Sequence, residues 1–291
     1  MPAFRYLQLD VFPANLGGGN PLGVVLGAPE LEQAQMQRIA RWLNLVETTF
    51  VLPPEHADAD YRLRIFTPNA EIPFAGHPTI GSAHAVLDSG FAAARDGQLV
   101  QQCGAGLLPI RIEGAGERRE LFVRAPAARI VREGDDDASL RAALGFQELG
   151  KLVPALVDGG RRWWIAELAG EEAVRAWQPN HAAIKALARA DACMGLCVFA
   201  RCKNADYDIV VRAFPAGAGI VEDPASGAAN GLIAAYIAQR EPQGELARGY
   251  RVSQGREMGH DAALAVCIDA DGAVWVGGRT RTVITGMIDW S

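Results

Sequence analysis

The segment "EIPFAGHPTIGSAHAVL" (71–87) decides the fold, because much of it recurs later in the chain. Shifted by 146 residues, "HPTIGSAHAVL" (77–87) aligns without a gap with "DPASGAANGLI" (223–233). Two upstream pairs align at the same shift: "YRLRIFTP" (61–68) with "YDIVVRAF" (207–214), and "LEQAQMQRIARWL" (31–43) with "WQPNHAAIKALAR" (177–189). A repeat of this length predicts two related domains of similar size.

Each half shows the same predicted order of elements. Apolar spacing predicts an outer helix, which is followed by strands and then by a strand that turns into a helix of small residues. Alternation predicts further strands, at "LLPIRIEG", "ELFVRAP", "RRWWIAEL", "ALAVCIDADGAVWVGG" and "RTVITGMIDW", with a turn at Asp271-Gly272. Small residues let a sheet enclose a helix closely. We therefore expect an α+β fold in which each domain is a β-barrel-like sheet around a central α-helix, and the two are joined within 124–139.

Composition excludes several classes of protein. A net charge of −6 argues against a nucleic-acid-binding protein. No apolar run approaches the ~20 residues of a membrane span, and the alternating start "MPAFRYLQLDVF" is unlike a signal peptide. These features predict a cytoplasmic protein. The five scattered cysteines are interpreted as reduced thiols, mostly in the core, and no metal site is predicted.

The starts of the two small-residue helices are the candidate binding elements. Pro78 and Pro224 suit the first position of a helix. Asp223 is predicted to be an N-cap, and His77 takes the matching place in the first half. Unpaired N–H groups and the helix dipole at such a start bind carboxylates. If the halves are related by a pseudo-two-fold axis, we expect both helix starts to face one cleft that holds a small carboxylate substrate.

Five motifs in order along the chain resemble the PhzF family of phenazine biosynthesis. They are "DVF…GNPLGVV" (10–25), "NLVETTFV" (44–51), "FTPNAEIPFAGHPTIGSA" (66–83), "EDPASGAANG" (222–231) and "SQGREMG" (253–259). The resemblance implies a diaminopimelate epimerase-like fold with two pseudo-symmetric domains, 1–125 plus 280–291 and 126–279. It also implies a cofactor-free isomerase that forms a homodimer and acts on a small carboxylate.

The resemblance assigns residues to the site. The family's catalytic glutamate falls on Glu47, and its supporting polar residues fall on His77 and Asp223. The substrate-binding positions fall on the following residues: Gly76, Ser226, Gly227, Ala228 and Asn20. We expect Asn20 to close over the substrate from a mobile Gly-rich flap, 15–20. Ala228 replaces a hydroxyl residue of the family, and His260-Asp261 stands where an arginine is common, so both positions bear on substrate choice.

The chain offers one base rather than two. Racemases of this fold use two cysteines, but the matching positions here are Ala75 and Ser226. The 146-residue shift sets Cys193, and no second carboxylate, against Glu47. A lone carboxylate can move a proton between carbons on one face, a 1,3- or 1,5-hydrogen shift as in trans-2,3-dihydro-3-hydroxyanthranilate isomerisation. Two alternatives stay open: a racemase or epimerase of a small amino or hydroxy acid, and a non-enzymatic binding protein.

Two further polar residues near the first small-residue helix are given structural roles. Glu71 is predicted to pack beneath the turn that precedes the helix. His84, within the helix, is predicted to be interior and hydrogen-bonded.

Overall fold

The computed structural model describes residues 3–203 and 206–290. Their contacts divide the chain into two compact units, Met1–Arg124 with Gly277–Ser291, and Ala125–Val276. Among the described residues, no helix is both long and apolar enough to cross a bilayer.

The first part of the chain forms eight strands and two helices. They are β1 (Ala3–Val11), β2 (Asn20–Leu26), α1 (Gln33–Leu43), β3 (Glu47–Leu52), β4 (Tyr61–Phe66), β5 (Glu71–Ile72), α2 (Gly76–Ser89), β6 (Gln98–Cys103), β7 (Gly106–Glu113) and β8 (Glu120–Arg124). Each strand predicted here from alternation is present.

The second part repeats this pattern with two additional helices. Its elements are β9 (Arg129–Glu133), α3 (Ala138–Leu144), β10 (Ala155–Asp158), β11 (Arg162–Glu167), α4 (Glu171–Arg175), α5 (His181–Ala190), β12 (Leu196–Arg201), β13 (Ile209–Phe214), α6 (Gly227–Arg240), β14 (Gly249–Gln254), β15 (Ala262–Ile268) and β16 (Val274–Gly278). The last strand, β17 (Thr280–Asp289), pairs antiparallel with β1.

The two units share one strand topology. In the first, β17, β1, β2, β3, β4, β6 and β7 lie side by side in that order and are parallel only at β2–β3 and β4–β6, and β8 follows β7. In the second, β9 to β15 follow one another and are parallel only at β11–β12 and β13–β14. The same sequence of parallel and antiparallel pairs in both units is the structural form of the repeat.

Each sheet curls around a helix of small residues. In the first unit α2 touches both β17 and β8, which lie at opposite ends of the strand order. In the second, α6 touches both β9 and β15. Gly81 of α2 has no room for a side chain, since a Cβ there would lie 2.5 Å from Leu22 and 2.8 Å from Val11. The prediction of a barrel-like sheet around a central helix is therefore confirmed.

The outer helices cover the other face of each sheet. Met36, Ile39 and Ala40 of α1 are buried in one apolar cluster with Val25 and Phe50. In the second unit α5 plays the same part, with Ile184, Leu187 and Ala188 in one cluster with Trp164 and Phe214. Each sheet thus packs against its central helix on one face and against its outer helix on the other. This packing fixes the positions of the strand ends.

The cysteines are free thiols in both units. Cys193 and Cys197 are buried, whereas Cys103, Cys202 and Cys267 are only partly buried. The prediction that most of them lie in the core is therefore correct for two of the five.

The structural repeat differs from the gapless 146-residue alignment. Phe66 ends β4 and Phe214 ends β13, a shift of 148, while α2 and α6 begin at Gly76 and Gly227, a shift of 151. The loop before α6 is three residues longer than the loop before α2. A gapless alignment at a shift of 146 cannot include this insertion of three residues. It also cannot include the difference of two residues already present at the ends of β4 and β13.

Candidate functional site

Glu47 is placed by the turn between α1 and β3. The helix ends at Leu43, and Asn44 takes a left-handed conformation with φ of 52° that turns the chain toward the sheet. Glu47 then opens β3, and its side chain shares a face with that of Thr49 because side chains alternate along a strand. Thr49 Oγ1 lies 2.8 Å from Ser82 Oγ, so this face looks onto α2. Glu47 is only 8% exposed.

His77 meets Glu47 from the start of α2. Its Nε2 lies 3.3 Å from Glu47 Oε2, and both side chains are largely buried. The expectation that His77 takes the cap position is wrong, because Ala75 is the N-cap and His77 is the second helical residue. Pro78 is likewise the third residue and not the first. Its missing N–H costs nothing there, because the first N–H groups of a helix have no partner within the helix.

Asn20 fixes the tautomer of His77. Its Nδ2 lies 3.3 Å from His77 Nδ1, so the amide donates to Nδ1 and the ring hydrogen sits on Nε2, toward Glu47. Burial lowers the pKa of His77 to about 3, which keeps the imidazole neutral at physiological pH. The approach of His77 Nε2 to Glu47 Oε2 is therefore a close contact of a neutral ring with a carboxyl group, and not a salt bridge.

The Gly-rich segment 15–20 is not a flap that carries Asn20. Asn20 is the first residue of β2 and is fully buried, so the predicted position for it is wrong. The loop before it is tied to Asp10, whose carboxylate accepts hydrogen bonds from Gly17 N at 2.7 Å and from Gly19 N at 2.8 Å. Asp10 thus fixes the strand that presents Asn20 to His77.

Ser226, and not Asp223, caps α6. The Ser226 hydroxyl accepts a hydrogen bond from Ala229 N at 3.4 Å, and the helix begins at Gly227. Pro224 lies before the cap, so its predicted position at the start of the helix is also wrong. By their place in the helix, the counterparts of Gly76 and His77 are Gly227 and Ala228. Gly227 is half-buried and Ala228 is exposed.

Asp223 is held by the loop that precedes α6. Its N–H donates to Ala213 O at 2.9 Å, and its carboxylate accepts from Ala225 N at 3.1 Å. Burial raises the pKa of Asp223, while the hydrogen bond from Ala225 N, the Ser226 hydroxyl and the nearby charge of His260 pull that pKa down. The loop therefore places a partly desolvated carboxyl group three residues before the cap.

Gln254 fastens this loop to the sheet. At the end of β14, its side chain donates to Asp223 O at 2.7 Å and accepts from Asn230 Nδ2 at 2.9 Å and from Ser226 N at 3.3 Å. Gly255 follows with φ of 93°, where a Cβ would lie 2.6 Å from Pro224 O. The "SQGREMG" motif thus supports the start of α6 through its Gln and its first Gly.

A repeated ion pair stiffens the segment before each central helix. In the first unit Arg64 and Glu71 form two hydrogen bonds, at 2.8 and 2.7 Å. In the second, Arg212 and Glu222 form two at 2.8 and 2.9 Å. Glu71 is therefore structural, as predicted, while the matching pair in the second unit escaped sequence analysis because its glutamate lies three residues further from its arginine.

His84 of α2 is hydrogen-bonded, in agreement with the prediction. Its Nδ1 lies 2.8 Å from a guanidinium nitrogen of Arg119, and its Nε2 lies 3.3 Å from Thr282 Oγ1. Burial lowers the pKa of His84 to about 4. This histidine serves the packing of α2 and not the group around Glu47.

Of the predicted site residues, the first unit brings Glu47, His77 and Asn20 into one contiguous group, with Gly76 beside His77. The second unit holds the others at the start of α6 and in the loop before it. Asp10 and Gln254, which position these groups, were missed. Asp10 binds backbone seven and nine residues away and Gln254 binds backbone 28 and 31 residues away, and no local pattern reveals such contacts.

Proteins of known family share this sequence and fold. Residues 9–286 match the family model described as "Phenazine biosynthesis-like protein". "Antisense-enhancing sequence 1" of Schizosaccharomyces pombe is 34% identical and covers 98% of this chain and 99% of its own. The trans-2,3-dihydro-3-hydroxyanthranilate isomerase of Pseudomonas aeruginosa is 31% identical, covering 94% and 98%.

Solved structures agree with these matches. The PhzF-family protein of Bacillus anthracis superposes with a TM-score of 0.85 at 26% identity, and 99% of each chain is covered. A probable proline racemase from Agrobacterium radiobacter, at 15% identity and a TM-score of 0.61, shares the fold alone. The predicted diaminopimelate epimerase-like fold is thereby confirmed. With its motifs, its duplicated sheet and helix and a family match over nearly its whole length, the chain belongs to the PhzF family of phenazine biosynthesis-like proteins.

Proposed function

We propose that this protein is a cofactor-independent isomerase that moves a proton between two carbons of a small carboxylate substrate. Glu47 would be the general acid/base. The observation that carries the proposal is the group Glu47–His77–Asn20, in which a buried carboxylate is oriented by a neutral imidazole. Relatives named isomerases, including the dihydrohydroxyanthranilate isomerase of Pseudomonas aeruginosa, support the reaction class.

The geometry suggests how the proton moves. His77 Nε2 lies 3.3 Å from Glu47 Oε2, and we assign proton transfer to Oε1. Because His77 is neutral, it orients the carboxylate without adding a positive charge that would lower its basicity. Glu47 would take a proton from one carbon and return it to another on the same face, which shifts a double bond without inverting a stereocentre.

The starts of α2 and α6 supply the proposed anion binding. The N–H groups of Gly76 and His77 belong to the first turn of α2, where, among the described residues, no side chain caps the helix. Such a turn stabilises negative charge that develops when a proton leaves a carbon next to a carboxylate. From the resemblance we assign Asp223, Ser226, Gly227 and Ala228 to the same substrate. We also propose a cytoplasmic homodimer.

A direct assay tests this function. Purified protein is mixed with trans-2,3-dihydro-3-hydroxyanthranilate and, in parallel, with a panel of small amino and hydroxy carboxylates. Ultraviolet absorbance follows the double-bond shift. We expect turnover of at least one compound, and a rate reduced roughly 10²–10⁴-fold in Glu47→Gln, the range ascribed to a positioned acid/base group. Equal rates for the wild type and Glu47→Gln would show that Glu47 is not the general acid/base.

A further inference from the structure

A cationic cavity lies in the second unit. It has a volume of about 600 Å³ and is open to solvent. Three arginines line it: Arg161 just before β11, Arg162 at the start of β11, and Arg189 near the end of α5. Three guanidinium groups in one cavity are notable in a chain whose net charge is −6.

These three arginines differ from others in the unit by their partners. Arg161 contacts the sulfur of Met194 at 3.7 Å, and Arg162 donates to Ala192 O at 3.2 Å. Within residues 3–203 and 206–290, no carboxylate lies within ion-pair distance of Arg161, Arg162 or Arg189. By contrast, Arg132, Arg201 and Arg212 each pair with a carboxylate.

Two acids near the cavity, Asp191 and Asp158, have hydrogen-bond partners other than its three arginines. Asp191 follows Arg189 closely in sequence, yet its oxygens accept from Arg132 at 2.6 Å and from Trp164 Nε1 at 2.8 Å. Asp158, which lines the cavity, accepts from Gly160 N at 3.0 Å. The Asp158 carboxylate and the carbonyl groups at the end of α5, which amount to about half a negative charge, offset only part of the three guanidinium charges.

Backbone hydrogen bonds join the segments that line the cavity. Gly217 N donates to Met194 O at 2.8 Å, and Met194 N donates to Arg162 O at 2.8 Å. A Cβ on Gly217 would lie 2.5 Å from Cys193 O, so two backbone segments are in close contact there. A cavity of about 600 Å³ that three arginines line is suited to a compact anion rather than to a long flexible chain.

We propose that this cavity binds a small, multiply charged anion through Arg161, Arg162 and Arg189. Arginine forms paired hydrogen bonds with phosphate and carboxylate oxygens, so the ligand is a phosphate-bearing or polycarboxylate metabolite. The site shares no residue with the Glu47 group, and its proposal does not depend on the proposed reaction.

Titration calorimetry tests the proposal on the full chain with two probes, inorganic pyrophosphate and citrate, at 0.15 M salt. The test variant is Arg161→Gln/Arg189→Gln. The control, Arg38→Gln/Arg118→Gln, removes the same charge from exposed positions outside the cavity. We expect saturable binding to the wild type and the control, weakened roughly tenfold or more in the test variant, as the loss of charged hydrogen bonds requires.

The two probes distinguish the ligand classes. Tighter pyrophosphate binding supports a phosphate-bearing ligand, and tighter citrate binding supports a polycarboxylate. If neither probe binds the wild type, or if the test variant and the control bind equally, the proposal is overturned. Thermal unfolding of each variant without ligand shows that both remain folded.

Discussion

At the residue scale, one buried carboxyl group and the neutral histidine beside it form the proposed catalytic group. Glu47 and His77 were assigned from the family resemblance, and the structure brings them within 3.3 Å. Asp10 could not be assigned in this way, because it binds backbone seven and nine residues further along the chain. The cap of α6 was misassigned because a proline next to an aspartate resembles a helix start, whereas tertiary contacts from Gln254 hold that pair in a loop.

The buried state of His77 predicts a pH dependence of stability. Because its pKa is about 3 when folded and about 6.5 when unfolded, the unfolded chain binds the extra proton between these values. Stability that is complete above pH 6.5 is therefore lost as the pH falls toward 3, by up to about 1.4 kcal/mol per pH unit.

The variant His77→Gln removes this dependence at one site and leaves His84 in place. Urea unfolding of the wild type and the variant at pH 7.0, 5.5 and 4.5 measures the difference. We expect the variant to lose less stability on acidification than the wild type. Parallel losses in the two proteins would show that His77 is not buried as a neutral group.

At the element scale, the central helices and the ion pairs before them position the site. The small-residue helix was predicted from sequence because Gly and Ala recur within it, and Gly81 explains that composition sterically. The exact start of each helix was not predicted, since the repeat contains insertions that a gapless comparison cannot see.

Gly81→Ala tests the close packing of α2. A helix normally gains about 1 kcal/mol from this change, but here the Cβ would overlap Leu22 and Val11. Overpacking typically costs 1–3 kcal/mol, so we expect a net destabilisation of about 1 kcal/mol by urea unfolding. Gly286→Ala is the matched control, because nothing lies within 4 Å of a Cβ there. A stabilised Gly81→Ala protein would contradict the enclosed helix.

The two repeated ion pairs predict unequal costs. In the second unit the Arg212 and Glu222 side chains are 6% and 9% exposed, against 17% and 28% for Arg64 and Glu71. Glu222→Gln leaves a buried guanidinium without its charge partner and should cost about 3 kcal/mol or more. Glu71→Gln should lower the free energy of unfolding by about 1 kcal/mol, because water screens the charge of its partner Arg64. Equal losses in chemical denaturation would show that burial does not set these energies.

At the scale of the whole molecule, the duplication provides one base and not two. Thr48 pairs with Phe66 in the first unit, as Leu196 pairs with Phe214 in the second. The structural counterpart of Glu47 is therefore Gly195, and the sequence prediction of Cys193 at that place is wrong. The conclusion that the second unit supplies no second acid/base group is unaffected, because glycine has no side chain that could carry a proton.

This asymmetry predicts the stereochemical outcome. A single base on one face returns a proton to the side from which it came, so substrate recovered from deuterated water should carry deuterium with its configuration retained. Chiral chromatography followed by mass spectrometry measures both properties. Racemised material would require a second acid opposite Glu47 and would favour an epimerase.

The most direct test of the central claim is the rate at which the protein exchanges a substrate hydrogen with deuterated water, measured by proton NMR. The wild type and Glu71→Gln, which alters a carboxylate outside the group, should exchange hydrogen at similar rates, while Glu47→Gln should be slower by roughly 10²–10⁴-fold. Exchange by Glu47→Gln at the wild-type rate would contradict the account.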